Sequence, residues 1–134
     1  MKRLLFILFI VIVITIIFTG CTTMEKNQTA TETAYKKISA EEAKEIIESE
    51  DVLILDVRTK EEFNEGHIEN SILLPVNDIS TKAEEILTDK DAKILVYCRS
   101  GNRSATASEL LIKMGYTNVY DFGGIISWPY EIVK

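Results

Sequence analysis

The sequence predicts an α/β fold with a mainly parallel central sheet and helices on both faces. Three observations predict it. Val52-Leu53-Ile54-Leu55 and Ile94-Leu95-Val96-Tyr97 are unbroken apolar runs, the pattern of strands buried on both faces of a parallel sheet. Two stretches with apolar residues at helical spacing open with a Ser or Thr followed three residues later by Glu, a capping box. Strand-like and helix-like stretches alternate along the chain, the order that builds crossover connections.

The first 36 residues stand apart from this pattern. Met1-Lys2-Arg3 is basic, residues 4–18 are apolar apart from Thr15, and Thr19-Gly20-Cys21 closes the run with small residues. This is the layout of a signal peptide. At 15 residues the apolar run is short for a spanning helix, which needs roughly 20. Phe18-Thr19-Gly20-Cys21 resembles the lipobox of bacterial lipoproteins, which implies cleavage after Gly20 and a lipid on Cys21. An uncleaved signal anchor is the alternative. Residues 21–36 are rich in Thr, Glu, Asn and Ala and read as a flexible tether. The expected organisation is a lipoprotein signal peptide at 1–20, a tether at 21–36 and a folded domain at 37–134. The domain is expected in the cell envelope, held to a membrane by its lipid and facing the extracytoplasmic side.

Within the domain, Ser39 and Glu42 form the first capping box, with Ala43, Ile46 and Ile47 as the buried stripe. The strand at 52–55 ends in Asp56-Val57-Arg58. Thr59 and Glu62 form the second capping box, and Gly66-His67-Ile68 is a turn. A short strand closed by Pro75 follows. Residues 76–87 read as helical, with Ile79, Ala83, Ile86 and Leu87 on the apolar face. Asp89-Lys90-Asp91 turns into the strand at 94–98. A helix is expected over 105–114, with Gly115 just past its end. Asn118-Val119-Tyr120 is a last short strand, and Phe122-Gly123-Gly124 a turn.

Chemistry concentrates in Cys98-Arg99-Ser100-Gly101-Asn102-Arg103-Ser104. A cysteine at the C-terminal tip of a strand, followed by a polar loop and a helix start, sits where open α/β sheets bind ligands. Loop N–H groups and the free N–H groups of the helix can converge on one point and favour an anion. A thiol there should ionise below its free pKa of about 8.5. Gly101 suits a tight loop, and Ser104 is placed to cap the helix. Arg99 is expected to orient an anionic substrate. For Arg103 two readings stand: the same role, or internal pairing with an acid such as Asp56 or Glu62. Asp56 and Arg58, at the neighbouring strand tip, either border the site or pair to hold loops together. His67 is read as part of the turn, and Trp128 as packing at the core edge.

The six-residue loop from Cys98 to Arg103 resembles the active-site loop of the rhodanese family. Cysteine phosphatases carry a loop one residue longer. The resemblance extends through Leu55-Asp56-Val57-Arg58, Glu62-Phe63, Gly66-His67-Ile68, Ser71-Ile72, Leu74-Pro75 and Gly123-Gly124-Ile125 with Trp128, and so covers residues 37–134. Ser71 stands where the family often has Ala. The resemblance implies a rhodanese-like three-layer fold and a sulfurtransferase of the thiosulfate sulfurtransferase type. Cys98 would be the catalytic nucleophile, and Arg99, Ser100, Gly101, Asn102, Arg103 and Ser104 the substrate-binding loop. A sulfane sulfur would pass from thiosulfate or a similar small anionic donor, through a Cys98 persulfide, to a thiol or cyanide. A lipid-anchored relay or binding module acting on a protein partner's thiol is the alternative. No cofactor is implied.

Composition narrows the field further. The chain has 15 Lys and Arg against 21 Asp and Glu. Removal of residues 1–20 takes away Lys2 and Arg3 and no acid, for a formal charge of −8. Such a domain is a poor fit to nucleic acid. With two cysteines and one histidine, no Cys/His metal site is expected. If Cys21 carries lipid, Cys98 is left as a free thiol outside the cytoplasm.

Overall fold

A computed structural model describes residues 34–134. The expected signal peptide, the lipidated Cys21 and the tether up to residue 33 lie outside the described residues. Five strands form one parallel sheet in the order β1-β5-β4-β2-β3. The strands are β1 (Lys36–Lys37), β2 (Leu53–Asp56), β3 (Ile72–Leu73), β4 (Ile94–Cys98) and β5 (Val119–Gly124). β1 thus takes in Lys36 from the stretch read as tether. The helices are α1 (Ala40–Ser49), α2 (Lys60–Glu65), α3 (Ile79–Ile86) and α4 (Asn102–Lys113), with 3-10 turns at Val76–Asp78 and Ile125–Ser127. No helix among the described residues is long and apolar enough to cross a membrane.

Side-chain alternation along the two central strands divides the core. Leu55, Val57, Ile94, Val96 and Cys98 face one layer, packed with Ala83 and Leu87 from the α3 side and Ala107 and Leu111 of α4. Ile54, Leu95 and Tyr97 face the other, packed with Ala43 of α1, Ile68 and Phe122. This is the three-layer arrangement expected. Both capping boxes form: Ser39 Oγ accepts the Glu42 N–H at 3.1 Å, and Thr59 Oγ1 accepts the Glu62 N–H at 3.3 Å.

Three local expectations need correction. Ile86 is 40% exposed, while Ile79, Ala83 and Leu87 are fully buried. The buried stripe follows the i, i+4, i+8 row, and Ile86 falls on its rim. β5 runs on through Phe122-Gly123-Gly124 instead of ending at Tyr120. It does so by bulging: Val96 pairs with Asp121 and Cys98 with Gly124, so β5 carries one extra residue. Finally, α4 begins at Asn102, with Gly101 as its N-cap at φ 105°. Ser104 therefore lies inside the first turn and does not cap the helix.

Connection order fixes where a ligand site falls. β2 leads through α2 outward to β3, whereas β4 leads through α4 in the opposite direction to β5. The C-terminal ends of β2 and β4 therefore flank a topological switch point, the crevice that open parallel sheets use for binding.

Candidate active site

Cys98 ends β4 at that switch point, with its side chain turned toward the α4 layer and 1% exposed. Its Sγ accepts the Gly101 N–H at 3.0 Å and lies 3.6 Å from Ser104 Oγ. Burial pushes the thiol's pKa up. The Ser104 N–H and hydroxyl, with the N–H groups of Gly101 and Ser100, pull it down by more, so the net shift is below the ordinary thiol value. The loop can turn this tightly because Gly101 adopts a left-handed backbone that other residues enter at a cost.

Ser104 is fully buried. Its Oγ lies 3.0 Å from the Gly101 carbonyl and 3.3 Å from the Gly123 carbonyl. A hydroxyl has one proton to donate. While Cys98 is a thiol, its S–H donates to Ser104 Oγ, and the serine proton goes to a carbonyl. Once Cys98 ionises, the serine hydroxyl can donate to the sulfur instead.

Beneath the loop lies the end of β5. A Cβ on Gly124 would come within 2.3 Å of the Arg99 carbonyl oxygen and 2.6 Å of Ser100 Cα. Only glycine lets the loop settle onto the strand this closely. The Ile126 N–H donates to the Arg99 carbonyl at 3.2 Å, which ties the loop to the turn after β5.

The charged candidates have distinct surroundings. Arg99 is exposed and makes no ion pair among the described residues. Arg103 is held by Glu62 in a bidentate pair, Nη1 to Oε2 at 2.7 Å and Nη2 to Oε1 at 2.8 Å. Ser100 and Asn102 are exposed. Asp56 and Arg58 form a buried pair, with Arg58 Nη2 donating to Asp56 Oδ2 at 2.6 Å and to the Gly66 carbonyl at 2.7 Å. These bonds tie the tip of β2 to the Gly66 turn. His67 Nδ1–H donates to the Phe63 carbonyl at 2.9 Å, and its ring stacks on Phe63. Those bonds hold the turn together and do not reach the Cys98 loop. No group of three or more potential metal ligands occurs among the described residues.

Sequence reasoning missed Asp121. It is 4% exposed, and its Oδ1 accepts the Gly123 N–H at 2.9 Å. The signal was present as Asp-x-Gly, the spacing of an aspartate that bonds its own backbone two residues on.

Fold and site together define a parallel α/β domain with a cysteine cradled by backbone N–H groups at a sheet switch point. The rhodanese-like domain family matches residues 39–129, and the chain belongs to that family. It is 40% identical over 84 residues to a sulfurtransferase of Allochromatium vinosum, covering 62% of this chain and 77% of that one. It is 35% identical over 95 residues to the thiosulfate sulfurtransferase GlpE of Coxiella burnetii, covering 70% and 87%. Among solved structures, a rhodanese-related protein from Thermoplasma volcanium superposes with a TM-score of 0.65 at 37% identity, covering 74% of this chain and 98% of that one.

Proposed function

We propose that the domain is a sulfurtransferase working through a persulfide on Cys98. The observation that carries this reading is the Gly101 N–H pointed at Cys98 Sγ from 3.0 Å, in a loop that favours the thiolate. The thiolate attacks the outer sulfur of thiosulfate or a similar donor. The donor's S–S bond breaks, and sulfite leaves with the electron pair. Cys98 now carries an anionic outer sulfur, which the same N–H groups and the N-terminus of α4 stabilise. An acceptor thiolate or cyanide then attacks that sulfur, and Cys98 returns as a thiolate. Arg99 meets the donor's charge at the mouth. We place this chemistry on the extracytoplasmic face of a membrane, held there by lipid on Cys21.

Intact mass of the purified chain before and after thiosulfate tests the reading. The expected result is a gain of one sulfur, about 32 daltons, removable by cyanide and absent in Cys98→Ala. No gain on an accessible, reduced Cys98 would overturn thiosulfate as donor. Transfer to cyanide that persists in Cys98→Ala would overturn the persulfide. Transfer confined to a protein thiol would identify the relay alternative. Protease treatment of intact cells tests the placement, which a fully protected domain would refute.

A further inference from the structure

Asp121 lies on β5, two residues before Gly123, and is buried. Yet it begins an unbroken chain of contacts that ends at the sulfur. Its Oδ1 accepts the Gly123 N–H at 2.9 Å. That bond fixes Gly123 at φ 88°, inside the bulge that gives β5 its extra residue. The Gly123 carbonyl then meets Ser104 Oγ at 3.3 Å, and Ser104 Oγ lies 3.6 Å from Cys98 Sγ. One residue further on, Gly124 pairs in register with Cys98 and packs against the Arg99 carbonyl. The bulge is thus the floor on which the cysteine loop rests.

We propose that Asp121 is a positioning residue for the Cys98 thiolate, acting through the Gly123 bulge on Ser104 and on the loop that carries the Gly101 N–H. Two consequences of losing it oppose each other. Release of the Gly123 carbonyl removes one competitor for the Ser104 proton, which helps the thiolate. Loss of the floor lets the Ser100, Gly101 and Ser104 donors spread away from the sulfur, which harms it. The second effect is larger. The Gly101 carbonyl is the nearer competitor, at 3.0 Å, and keeps its hold, so the first gain is small. The spreading touches every donor that lowers the thiol's pKa. The charged groups around the sulfur are Arg99 and Arg103 on its own loop and helix, and Glu62, Asp56 and Arg58 beyond the tip of β2. The test leaves all of these unchanged, and Asp121's own charge is lost equally in the Asn, Ala and Ser variants, so their differences report the acceptor.

The proposal rests on Cys98 as a reactive thiolate, but its test does not depend on sulfur transfer. The full chain in detergent is alkylated across a pH series, and modification of the Cys98 peptide is followed by mass spectrometry. Asp121→Asn removes the charge and keeps the acceptor oxygen. Asp121→Ala removes both. The expected midpoint for Asn is at or below that of the parent chain, and for Ala about 0.5 to 1 pH unit higher, a roughly 3- to 10-fold loss of thiolate below the midpoint. Asp121→Ser, whose shorter hydroxyl holds the Gly123 N–H more weakly, should fall between them. If the Ala chain does not fold, the Asn and Ser midpoints decide. Equal midpoints for the acceptor-keeping and acceptor-losing variants would overturn the role of Asp121. Failure of the parent chain to gain sulfur would instead count against the sulfurtransferase reading.

Discussion

Glu62 caps its own helix and grips the neighbouring one. Its Oε2 accepts the Thr59 N–H at 3.0 Å and Arg103 Nη1 at 2.7 Å, while Oε1 takes Arg103 Nη2 at 2.8 Å. The start of α2 is thereby bolted to the start of α4 across the switch point between β2 and β4. The hydrogen bonds from Arg103 pull the Glu62 pKa down to about 2.

Acid stability should report this bond. A carboxyl whose folded pKa lies below its unfolded value stabilises the fold fully above the unfolded value. That contribution is lost as pH falls from about 4.5 toward about 2. Glu62→Gln should therefore cost roughly 1 to 3 kcal/mol at pH 7. Its stability should also fall less steeply with acid over that window than the parent chain's. Urea unfolding at a series of pH values measures both. Parallel pH profiles would exclude the pair as the cause.

Gly124 offers a sharper test of the loop's support. Gly124→Ala forces a methyl group to within 2.3 Å of a backbone oxygen, and neither partner is a flexible side chain that can swing aside. The loop must lift, taking the Gly101 N–H from the sulfur. The expected outcome is a loss of sulfur transfer of about 100-fold or more and a stability cost of roughly 1 to 3 kcal/mol. Gly115→Ala is the comparison, since a Cβ there meets nothing within 4 Å. It should lose stability from its left-handed φ of 91° and keep its activity. Steady-state assay and thermal melts of both variants separate the two effects.

What the sequence disclosed was local. Both capping boxes rest on contacts three residues apart, and both were legible. So were the buried strands, because a strand covered on both faces has no polar positions to blur it. The contacts of the Cys98 loop are local as well, since Gly101 and Ser104 lie three and six residues from the cysteine. What stayed hidden depends on partners distant in sequence. Ser104 looks like a helix cap, but its hydroxyl reaches the Gly123 carbonyl, 19 residues on. Arg103 had two readings until the fold brought Glu62, 41 residues away, against it. The Gly123-Gly124 pair reads as a turn in isolation. It is strand because β4 offers it a ladder, and the Asp121 bond absorbs the extra residue. Ser71, where the family often has Ala, places its hydroxyl 3.2 Å from that of buried Tyr97.

His67, the chain's only histidine, invites the role of general base, and its contacts argue otherwise. Its ring stacks on Phe63 with centroids 3.7 Å apart, Nδ1–H is spent on the Phe63 carbonyl, and its backbone pairs with Val133. The N–H groups of the Cys98 loop already favour the thiolate, which lessens the need for a base. His67→Gln should keep most of the transfer rate while losing about 1 kcal/mol of stability. A fall in turnover beyond about tenfold, with the fold intact, would restore the base.

Arg99 and Arg103 carry the same charge five positions or fewer from Cys98, and their surroundings predict opposite mutant behaviour. Arg103 is neutralised by Glu62, so Arg103→Ala leaves a carboxylate without its partner at the α2 N-terminus. The helix end still favours that charge, but the bolt between the helices is gone. The variant should melt several degrees lower and lose turnover as the loop loosens. Arg99 has no ion-pair partner among the described residues, so Arg99→Ala should leave the melting temperature unchanged. It should raise KM for thiosulfate about 3- to 10-fold, the worth of roughly 1 kcal/mol for one exposed cation facing a dianion. Because that attraction acts through solvent, added salt should raise the parent KM toward the mutant value and barely move the mutant. Steady-state kinetics at two ionic strengths, with melts of both variants, measure all of this. A salt-independent KM in the parent chain would remove Arg99 from donor recognition.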